Sequence, residues 1–158
     1  MAKENQIIKK DTNNLDSYII CLKIRLSDEK LQNKDKIYER VKYGWKLSKN
    51  KYKKIKFVFA INIRDSKVIG SYKVCSWDEE HSNDQKENLR KYFKKSDEDL
   101  KCNFFGKDVK TIYGKGRNPI RYVKCQYCNK FIAEKDILAK QFNFEKPSCI
   151  KCFVSKAD

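Results

Sequence analysis

The sequence predicts an α+β fold in which a small, mainly antiparallel barrel with packed helices precedes a compact module containing four cysteines. The periodic segments follow the order strand, helix, hairpin and two short strands, which lacks the βαβ alternation of a parallel sheet. Four of the seven cysteines lie in two CxxC pairs near the carboxyl end of the 158-residue chain. Hydrophobic residues make up 40% of the chain, which is enough to bury a core.

A strand and a helix open the barrel. Apolar and charged residues alternate within residues 17–26, and this period of two predicts a half-buried strand. Ser27 or Asp28 can cap the element that follows. Apolar residues at helical spacing then predict a helix over about residues 34–42, and we expect Gly44 to end it.

A hairpin supplies the next two strands. Residues 56–63 give the clearest strand pattern of the chain, residues 68–74 give another, and residues 64–67 between them predict a tight turn. Trp77 closes the second of these strands. We therefore expect two neighbouring antiparallel strands at the centre of the barrel.

The remaining barrel elements follow from shorter patterns. Residues 78–99 are highly charged and predict a surface insertion that contains a weakly amphipathic helix. Short strands are predicted at residues 102–105 and 120–123, and a Gly-rich loop at residues 113–119 leads into the second of them.

The two CxxC pairs predict a zinc site. A two-residue gap lets both sulfurs of a tight knuckle reach one ion, so two pairs can surround a single Zn²⁺ tetrahedrally. Twenty residues separate the pairs, and Asn129 suits the left-handed conformation that a knuckle often needs after its second cysteine. Four thiolates leave no open position for water, so the ion would be structural. The predicted ligands are Cys125, Cys128, Cys149 and Cys152.

Disulfides and a redox CxxC are the alternative interpretations of these cysteines. The chain is rich in Lys and shows no secretory leader, which predicts a cytoplasmic protein whose thiols stay reduced. The other cysteines, Cys21, Cys75 and Cys102, fall in predicted strands and suit small apolar core positions. Apolar residues between the two pairs predict a small hairpin or a one-turn helix packed against the metal.

Length and composition bound the organisation of the chain. Residues 1–14 are polar, and we expect them to form a flexible arm. The barrel domain is predicted over residues 15–123, and a zinc ribbon over residues 124–158. No run approaches the roughly 18 apolar residues that cross a bilayer. We therefore expect no membrane-spanning segment.

The net charge of +16, from 37 Lys and Arg against 21 Asp and Glu, predicts a polyanionic partner. So large an excess opposes compaction unless a polyanion binds, and nucleic acid is the default polyanion. An AT-rich genome explains a preference for Lys over Arg, of which there are six, but it does not explain the deficit of acidic residues. An acidic protein or a membrane surface is the other class of partner for such charge.

Several segments of the barrel follow one another in an order that resembles a known superfamily. They are Tyr38-Glu-Arg40 with Gly44-Trp45, Phe57–Ile61, Val68–Tyr72, Trp77, Phe105-Gly106 and Asn118–Val123. In pattern and order they are similar to the PUA-like superfamily, the pseudobarrels that include EVE and ASCH domains. The resemblance implies binding of RNA, or of a modified base in DNA, with a base held in a pocket at the barrel mouth. The charged segment around Asp84 departs from a compact member of this superfamily.

Tryptophans interleaved with lysines predict where a base binds. Unpaired bases stack on aromatic faces while cations follow the phosphates, and Trp45 and Trp77 lie near the ends of predicted elements among cations such as Lys46. The resemblance places both tryptophans at the barrel mouth, so we expect them at the base pocket. The alternative is that each indole seals the core of a small barrel.

Arginines and the Gly-rich loop are the candidate contacts to the nucleic-acid backbone. In a chain that prefers Lys, an Arg suggests that a planar, bidentate donor is needed, which points to Arg40, Arg117 and Arg121. Lys115 lies between two glycines whose N–H groups can face a phosphate. Asn118 can pair with a base edge, although an Asn before Pro is more often a turn residue.

Catalytic signals are weak. The sole histidine, His81, lies in the polar insertion without a cysteine or serine arrangement that would make it a base. No predicted strand supplies the carboxylates of a restriction-type nuclease. The favoured function is therefore non-catalytic binding of RNA or DNA through recognition of a plain or modified base, with structural zinc and no membrane partner.

Two other functional classes remain open from the sequence. The first is a basic adaptor or inhibitor, of the kind that a phage encodes, which binds an acidic host protein or a defence complex. The second is a nuclease whose acidic site the sequence pattern does not reveal.

Overall fold

The computed structural model describes residues 17–80, 89–97 and 104–156. These residues form an α+β fold, as predicted, in which a curled, six-stranded mixed sheet makes a half-barrel and carries short helices. In chain order the elements are β1 (Tyr18–Ile24), α1 (Asp28–Leu31), α2 (Lys34–Val41), β2 (Tyr43–Trp45), a 3₁₀ turn (Tyr52–Lys54), β3 (Ile55–Asn62), β4 (Lys67–Glu79), β5 (Lys91–Lys95), α3 (Lys110–Tyr113), β6 (Ile120–Tyr122), α4 (Glu134–Ile137) and α5 (Ile150–Lys156).

The sheet is mixed because β1 and β3 run parallel. The strand order is β2-β5-β4-β3-β1-β6, and the other neighbouring strands are antiparallel. A parallel pair needs a crossover connection, and the chain between β1 and β3 supplies it with α1, α2, β2 and the 3₁₀ turn. The predicted hairpin is present as β3 and β4, with Ser66 in the turn at φ 56°.

The central strands are buried on both faces, whereas the sequence predicted a half-buried β1. Residues 19–22 of β1 are buried in succession, and β3 is buried from Phe57 to Ile61. Strands that are covered on both faces carry continuous apolar runs instead of alternation. The predicted alternation holds at the end of β1 and just after it, where Lys23 is partly exposed and Arg25 is exposed.

Carboxyl-terminal residues cover one face of the sheet. There, Phe57 and Phe59 of β3 belong to the same buried cluster as Ile132, Phe142 and Phe144, and we call this cluster the module-side core. Phe59 and Phe144 meet edge to face, with ring centroids 5.2 Å apart. The cysteine module and the sheet therefore share one core.

Helix α2 covers the other face. Ile37 and Val41 of α2 pack with Ile20 and Leu22 of β1 in a second buried cluster, the helix-side core. Neighbouring residues of a strand lie on opposite faces, which explains why β1 contributes to both cores. Phe93 of β5 completes the helix-side core.

Strand β5 replaces the helix that was predicted within residues 78–99. It pairs with β4 on one side and with β2 on the other, and Phe93 is buried while its neighbour Lys94 is exposed. Strand β4 continues past Trp77 to Glu79 because its outer half pairs with β5. The helix prediction was wrong because the charged residues of this region mark a strand near the sheet edge rather than a solvated helix.

Local predictions around α1 and α2 have mixed outcomes. The Ser27 hydroxyl accepts a bond from the Lys30 N–H at 3.4 Å, so Ser27 is the N-cap of α1. Helix α2 ends at Val41, before Gly44, which instead lies in β2 at φ 97°. Gly44 therefore shapes the edge strand and does not end the helix.

Several predictions fall on residues outside the described ranges. They concern the arm at residues 1–14, His81, Asp84, Cys102 and the first half of the strand predicted at residues 102–105. Phe104 is described, is buried and lies outside any strand. None of the helices in residues 17–80, 89–97 and 104–156 combines the length and apolar character that a membrane crossing needs.

Candidate metal centre and nucleic-acid interface

The four predicted ligands meet at one point. The sulfur atoms of Cys125, Cys128, Cys149 and Cys152 all lie within 4.8 Å of one another. The Sγ atoms of Cys128 and Cys149 are 3.9 Å apart, which is close to the roughly 3.8 Å that a tetrahedron with metal–sulfur bonds of about 2.3 Å requires. The cluster can therefore hold a metal ion.

The first knuckle is formed by its backbone. Asn129 adopts φ 62°, as the sequence predicted, and its N–H donates to the Cys125 carbonyl at 2.9 Å. The Cys125 N–H donates in turn to the Lys130 carbonyl at 2.8 Å. These bonds turn the chain so that both cysteines of the pair face the same point.

The second knuckle begins helix α5, and a buried carboxylate joins it to the rest of the module. Asp136 accepts bonds from the N–H of Ala133 at 3.0 Å and from the N–H of Ile150 at 2.9 Å. It therefore ties the start of α4 to the start of α5. The Gln126 N–H donates to the Pro147 carbonyl at 2.8 Å and links the two knuckles directly.

Asp136 was not among the residues predicted from the sequence. The only local indication is its position three residues after Ala133, at the start of a short helix. An acidic residue at this spacing can accept a bond from the N-cap N–H, as in one half of a capping box. The second bond, to Ile150, joins residues far apart in the chain, so local spacing cannot reveal it.

The thiols of the cluster differ in acidity. Burial opposes ionisation of Cys125, but the backbone N–H groups of Cys128, Cys149 and Tyr127 lower the pKa of its thiol to about 6. The hydrogen bond with Cys149 raises the pKa of the Cys152 thiol to about 12, and burial adds to this effect. Because thiolates repel one another at this spacing, a cation is needed to ionise all four.

The predicted Gly-rich loop packs around a buried tyrosine. The Tyr113 hydroxyl donates to the Pro119 carbonyl at 2.9 Å, and the Arg121 guanidinium lies 5.4 Å from the Tyr113 ring centroid. The end of the Arg121 side chain lies against Gly116, so a side chain at this position would displace the guanidinium. Asn118 accepts a bond from the Ile120 N–H at 3.0 Å, which makes it a turn residue in this structure.

A shallow groove of about 470 Å³ runs between β6, α3 and the first knuckle. Its lining includes the polar side chains of Arg121, Lys124, Gln126 and Asn129. Lys115 and Arg117 are exposed on the loop that precedes β6. The structure therefore brings one predicted arginine, Arg121, to the cysteine module, beside two amides and a lysine that were not predicted to contact nucleic acid.

Trp45 lies in the helix-side core. Its side chain is 6% exposed, and its indole N–H donates to the Val41 carbonyl at 2.6 Å. The Arg40 guanidinium covers the ring at 5.7 Å from its centroid, and Lys46 is exposed just after β2. These contacts correspond to the core alternative, because they leave no open indole face for a base.

Trp77 is half-buried on β4. Its indole N–H donates to the Ile55 carbonyl at 2.9 Å, and its ring centroid lies 5.2 Å from that of Phe93. Strands β2, β5 and β4 occupy one end of the sheet order, and β6 with Arg121 forms the other end. Neither tryptophan is among the residues that line the groove at β6.

A second aromatic cluster lies where the sheet meets the cysteine module. Tyr18 from β1, Tyr122 from β6 and Phe131 from the segment between the knuckles meet with centroid separations of 4.7 to 5.7 Å. The Nζ atoms of Lys51 and Lys124 each lie within 5.1 Å of the Phe131 ring centroid. No local sequence pattern predicts this cluster, because Tyr18 lies far from Tyr122 and Phe131 in the chain. The pairing of β1 with β6 is the signal that would have revealed it.

Comparison of the chain with known protein families, with curated proteins and with solved structures gave no significant match. The candidate functions therefore follow from the four-cysteine cluster, the groove beside it and the aromatic residues at the junction with the sheet.

Proposed function

We propose that this is a non-catalytic nucleic-acid-binding protein with one structural Zn²⁺, held by the four clustered cysteines. The groove between β6 and the first knuckle carries the proposal, because Arg121 and Lys124 line it together with the amides of Gln126 and Asn129. Cations and amides are the groups that bind phosphates and base edges. The net charge of +16 supports a polyanionic partner.

The donor chemistry supports zinc. Four thiolate ligands select soft or borderline metals such as Zn²⁺ over Mg²⁺ and Ca²⁺, and a tetrahedral four-sulfur site has no position left for a reacting water. Elemental analysis of protein purified without added metal is expected to find one zinc per chain. A finding of no metal, or of disulfides among these cysteines by mass spectrometry, would remove the metal from the proposal.

The proposal also includes a fold family, a type of metal module and a cellular location. We interpret the half-barrel as a PUA-like pseudobarrel and the carboxyl-terminal module as a zinc ribbon, in a cytoplasmic protein. The barrel curvature and the clustered cysteines support this interpretation. An experimental structure tests it, since a pseudobarrel requires the sheet edges to close.

The binding experiment compares nucleic-acid types. Fluorescence anisotropy at near-physiological salt would measure affinity for RNA, single-stranded DNA, and plain and modified duplex DNA. We expect the variants Lys115→Ala, Arg117→Ala and Lys124→Ala to weaken binding to every sequence alike, since phosphate contacts carry no sequence information. Lys94→Ala is the matched control, because Lys94 is exposed at the β5 end of the sheet order.

The outcomes separate the competing functions. Binding that is lost equally in Lys124→Ala and in the Lys94→Ala control would contradict the groove assignment. No binding to any nucleic acid, together with capture of an acidic protein after nuclease treatment, would favour the adaptor. Mg²⁺-dependent cleavage of the probes would favour a nuclease.

A further inference from the structure

We infer that Tyr18, Tyr122 and Phe131, together with Lys51 and Lys124, form a stacking surface for the unpaired bases of a single-stranded nucleic acid. We call these five residues the aromatic platform. The inference rests on the proposed nucleic-acid function and places base recognition at the junction of the sheet and the module. The tryptophans, which the sequence predicted at the base pocket, do not belong to the platform.

The three rings come from three elements. Tyr18 begins β1, Tyr122 ends β6, and Phe131 pairs with Lys124 through an isolated bridge just after the first knuckle. The ring planes of Tyr18 and Phe131 are inclined by 80°, with centroids 4.7 Å apart. Each of these side chains is partly exposed, so the cluster forms part of the surface as well as the edge of a core.

Two lysines lie over these rings. The Lys51 Nζ atom lies 5.3 Å from the Tyr122 centroid and 5.0 Å from the Phe131 centroid, and the Lys124 Nζ atom lies 5.1 Å from the Phe131 centroid. Within the described ranges, neither ammonium is paired with a carboxylate. Their charges are thus available to phosphates beside the rings.

The Tyr122 hydroxyl points to a ligand as well. It is buried and has no hydrogen-bond partner among the residues that the structure describes. A buried hydroxyl without a partner is costly, and such groups are usually satisfied. The edge of a base bound at this ring is a group that could supply the missing partner.

The arrangement favours single strands over duplexes. Aromatic side chains stack on bases whose faces are free, and duplex bases already stack on one another. Lys124 belongs both to the platform and to the groove that contains Arg121. A strand whose bases contact the rings can therefore continue with its backbone along the groove.

The test uses the full-length, zinc-loaded protein and two strands of equal length and charge. One is a fifteen-nucleotide oligothymidine, and the other carries abasic tetrahydrofuran sites in place of the central bases. We expect oligothymidine to bind about 5- to 150-fold more tightly, since stacking contributes about 1 to 3 kcal/mol per base. Equal affinity for both strands would overturn the platform and leave the proposed function intact, whereas no affinity for either strand or for any duplex would overturn both.

Variants then locate the stacking surface. Phe131→Leu and Tyr18→Leu keep an apolar side chain without a ring. We expect each variant to bind oligothymidine nearly as weakly as the parent protein binds the abasic strand. Tyr43→Leu is the control, since Tyr43 is an exposed tyrosine on β2 at the other end of the sheet order. Equal losses in Tyr43→Leu and Phe131→Leu would contradict the inference. If Phe131→Leu does not fold, as judged by circular dichroism and zinc content, Lys51→Ala and the abasic comparison on the parent protein still decide it.

Discussion

Trp45 shows how one residue can satisfy a binding pattern in sequence and a core position in structure. Its indole is buried, and its N–H reaches the last carbonyl of α2, at Val41. Tryptophan next to lysine occurs in nucleic-acid-binding sites and also at the edges of protein cores, because the apolar part of a lysine side chain can cover an aromatic ring. The hydrogen bond within the core is the observation that separates the two.

We predict that Trp45→Ala lowers the free energy of unfolding by about 3 to 5 kcal/mol, while nucleic-acid affinity of the folded fraction stays unchanged. Urea denaturation followed by circular dichroism measures the first effect, and anisotropy at low temperature measures the second. Trp45→Phe is the control, since it keeps an aromatic ring and loses the hydrogen bond. If Trp45→Phe lost affinity for nucleic acid but kept its stability, Trp45 would have to be assigned to the binding site.

At the scale of elements, β4 and β5 are joined by an ion pair that is unusual for a sheet. Lys91 is 1% exposed, and its ammonium lies 3.2 Å from a Glu79 carboxylate oxygen and 2.6 Å from the Leu89 carbonyl oxygen. The Tyr52 ring lies 5.0 Å from the same ammonium. A buried ammonium depends on these partners, because its desolvation is costly.

We predict that Glu79→Gln is more destabilising than Lys91→Met. The first change leaves a buried ammonium without its carboxylate, which costs about 2 to 3 kcal/mol, below the range for fully buried pairs because the Glu79 side chain is 31% exposed. The second leaves a carboxylate that water can reach and should stay within about 1 kcal/mol of the parent. Chemical denaturation measures the free energy of unfolding of both variants. A larger loss of stability in Lys91→Met than in Glu79→Gln would show that the ion pair contributes little.

The cysteine module provides a second element-scale prediction, through pH. Zinc binds thiolates, so protons compete with it. The pKa of the Cys152 thiol is raised to about 12 and that of Cys149 is also raised, so both still carry protons at neutral pH that the metal must displace. Apparent zinc affinity is therefore expected to rise as pH increases from 6 to 8.

Competition with a chromophoric chelator at several pH values measures this dependence. Calorimetry in buffers of different ionisation enthalpy gives the number of protons released. Cys128→Ser should weaken zinc binding at every pH and expose Phe142 and Phe144 by loosening the module-side core. A zinc affinity that stays flat across this pH range would contradict thiolate ligation.

At the scale of the whole molecule, the net charge of +16 should govern how tightly the proposed nucleic-acid partner binds. We predict that affinity falls with a log–log salt slope of several units, since each neutralised phosphate contributes roughly 0.7 for single strands or 0.9 for duplexes. Lys124→Ala should reduce the slope by roughly 0.7 for a single strand, which is the contribution of one phosphate. Titrations between low and physiological salt measure it, and an affinity independent of salt would favour the adaptor function.

Some of the molecule could be predicted from the sequence because the information was local. The CxxC spacing identified the four cysteines, Asn129 adopts the predicted left-handed conformation, α2 follows its apolar periodicity, and β3 follows its continuous apolar run. The burial of both faces of β1 and the aromatic platform depend on contacts between distant segments. Lys91 shows the same limit, since a lysine in a charged stretch gives no local sign that it will be buried against Tyr52 and Glu79.

The core shared by the sheet and the cysteine module also has a consequence for protein synthesis. Strand β3 leaves the ribosome long before Phe142 and Phe144, which later cover one of its faces. A nascent chain therefore shows an apolar sheet face to solvent until the second CxxC pair has been translated and the cysteine module can form, and exposed apolar surface of this kind favours aggregation. With the proposed zinc site, zinc supply during translation should set the yield of soluble protein, and chains released before residue 149 should depend on chaperones.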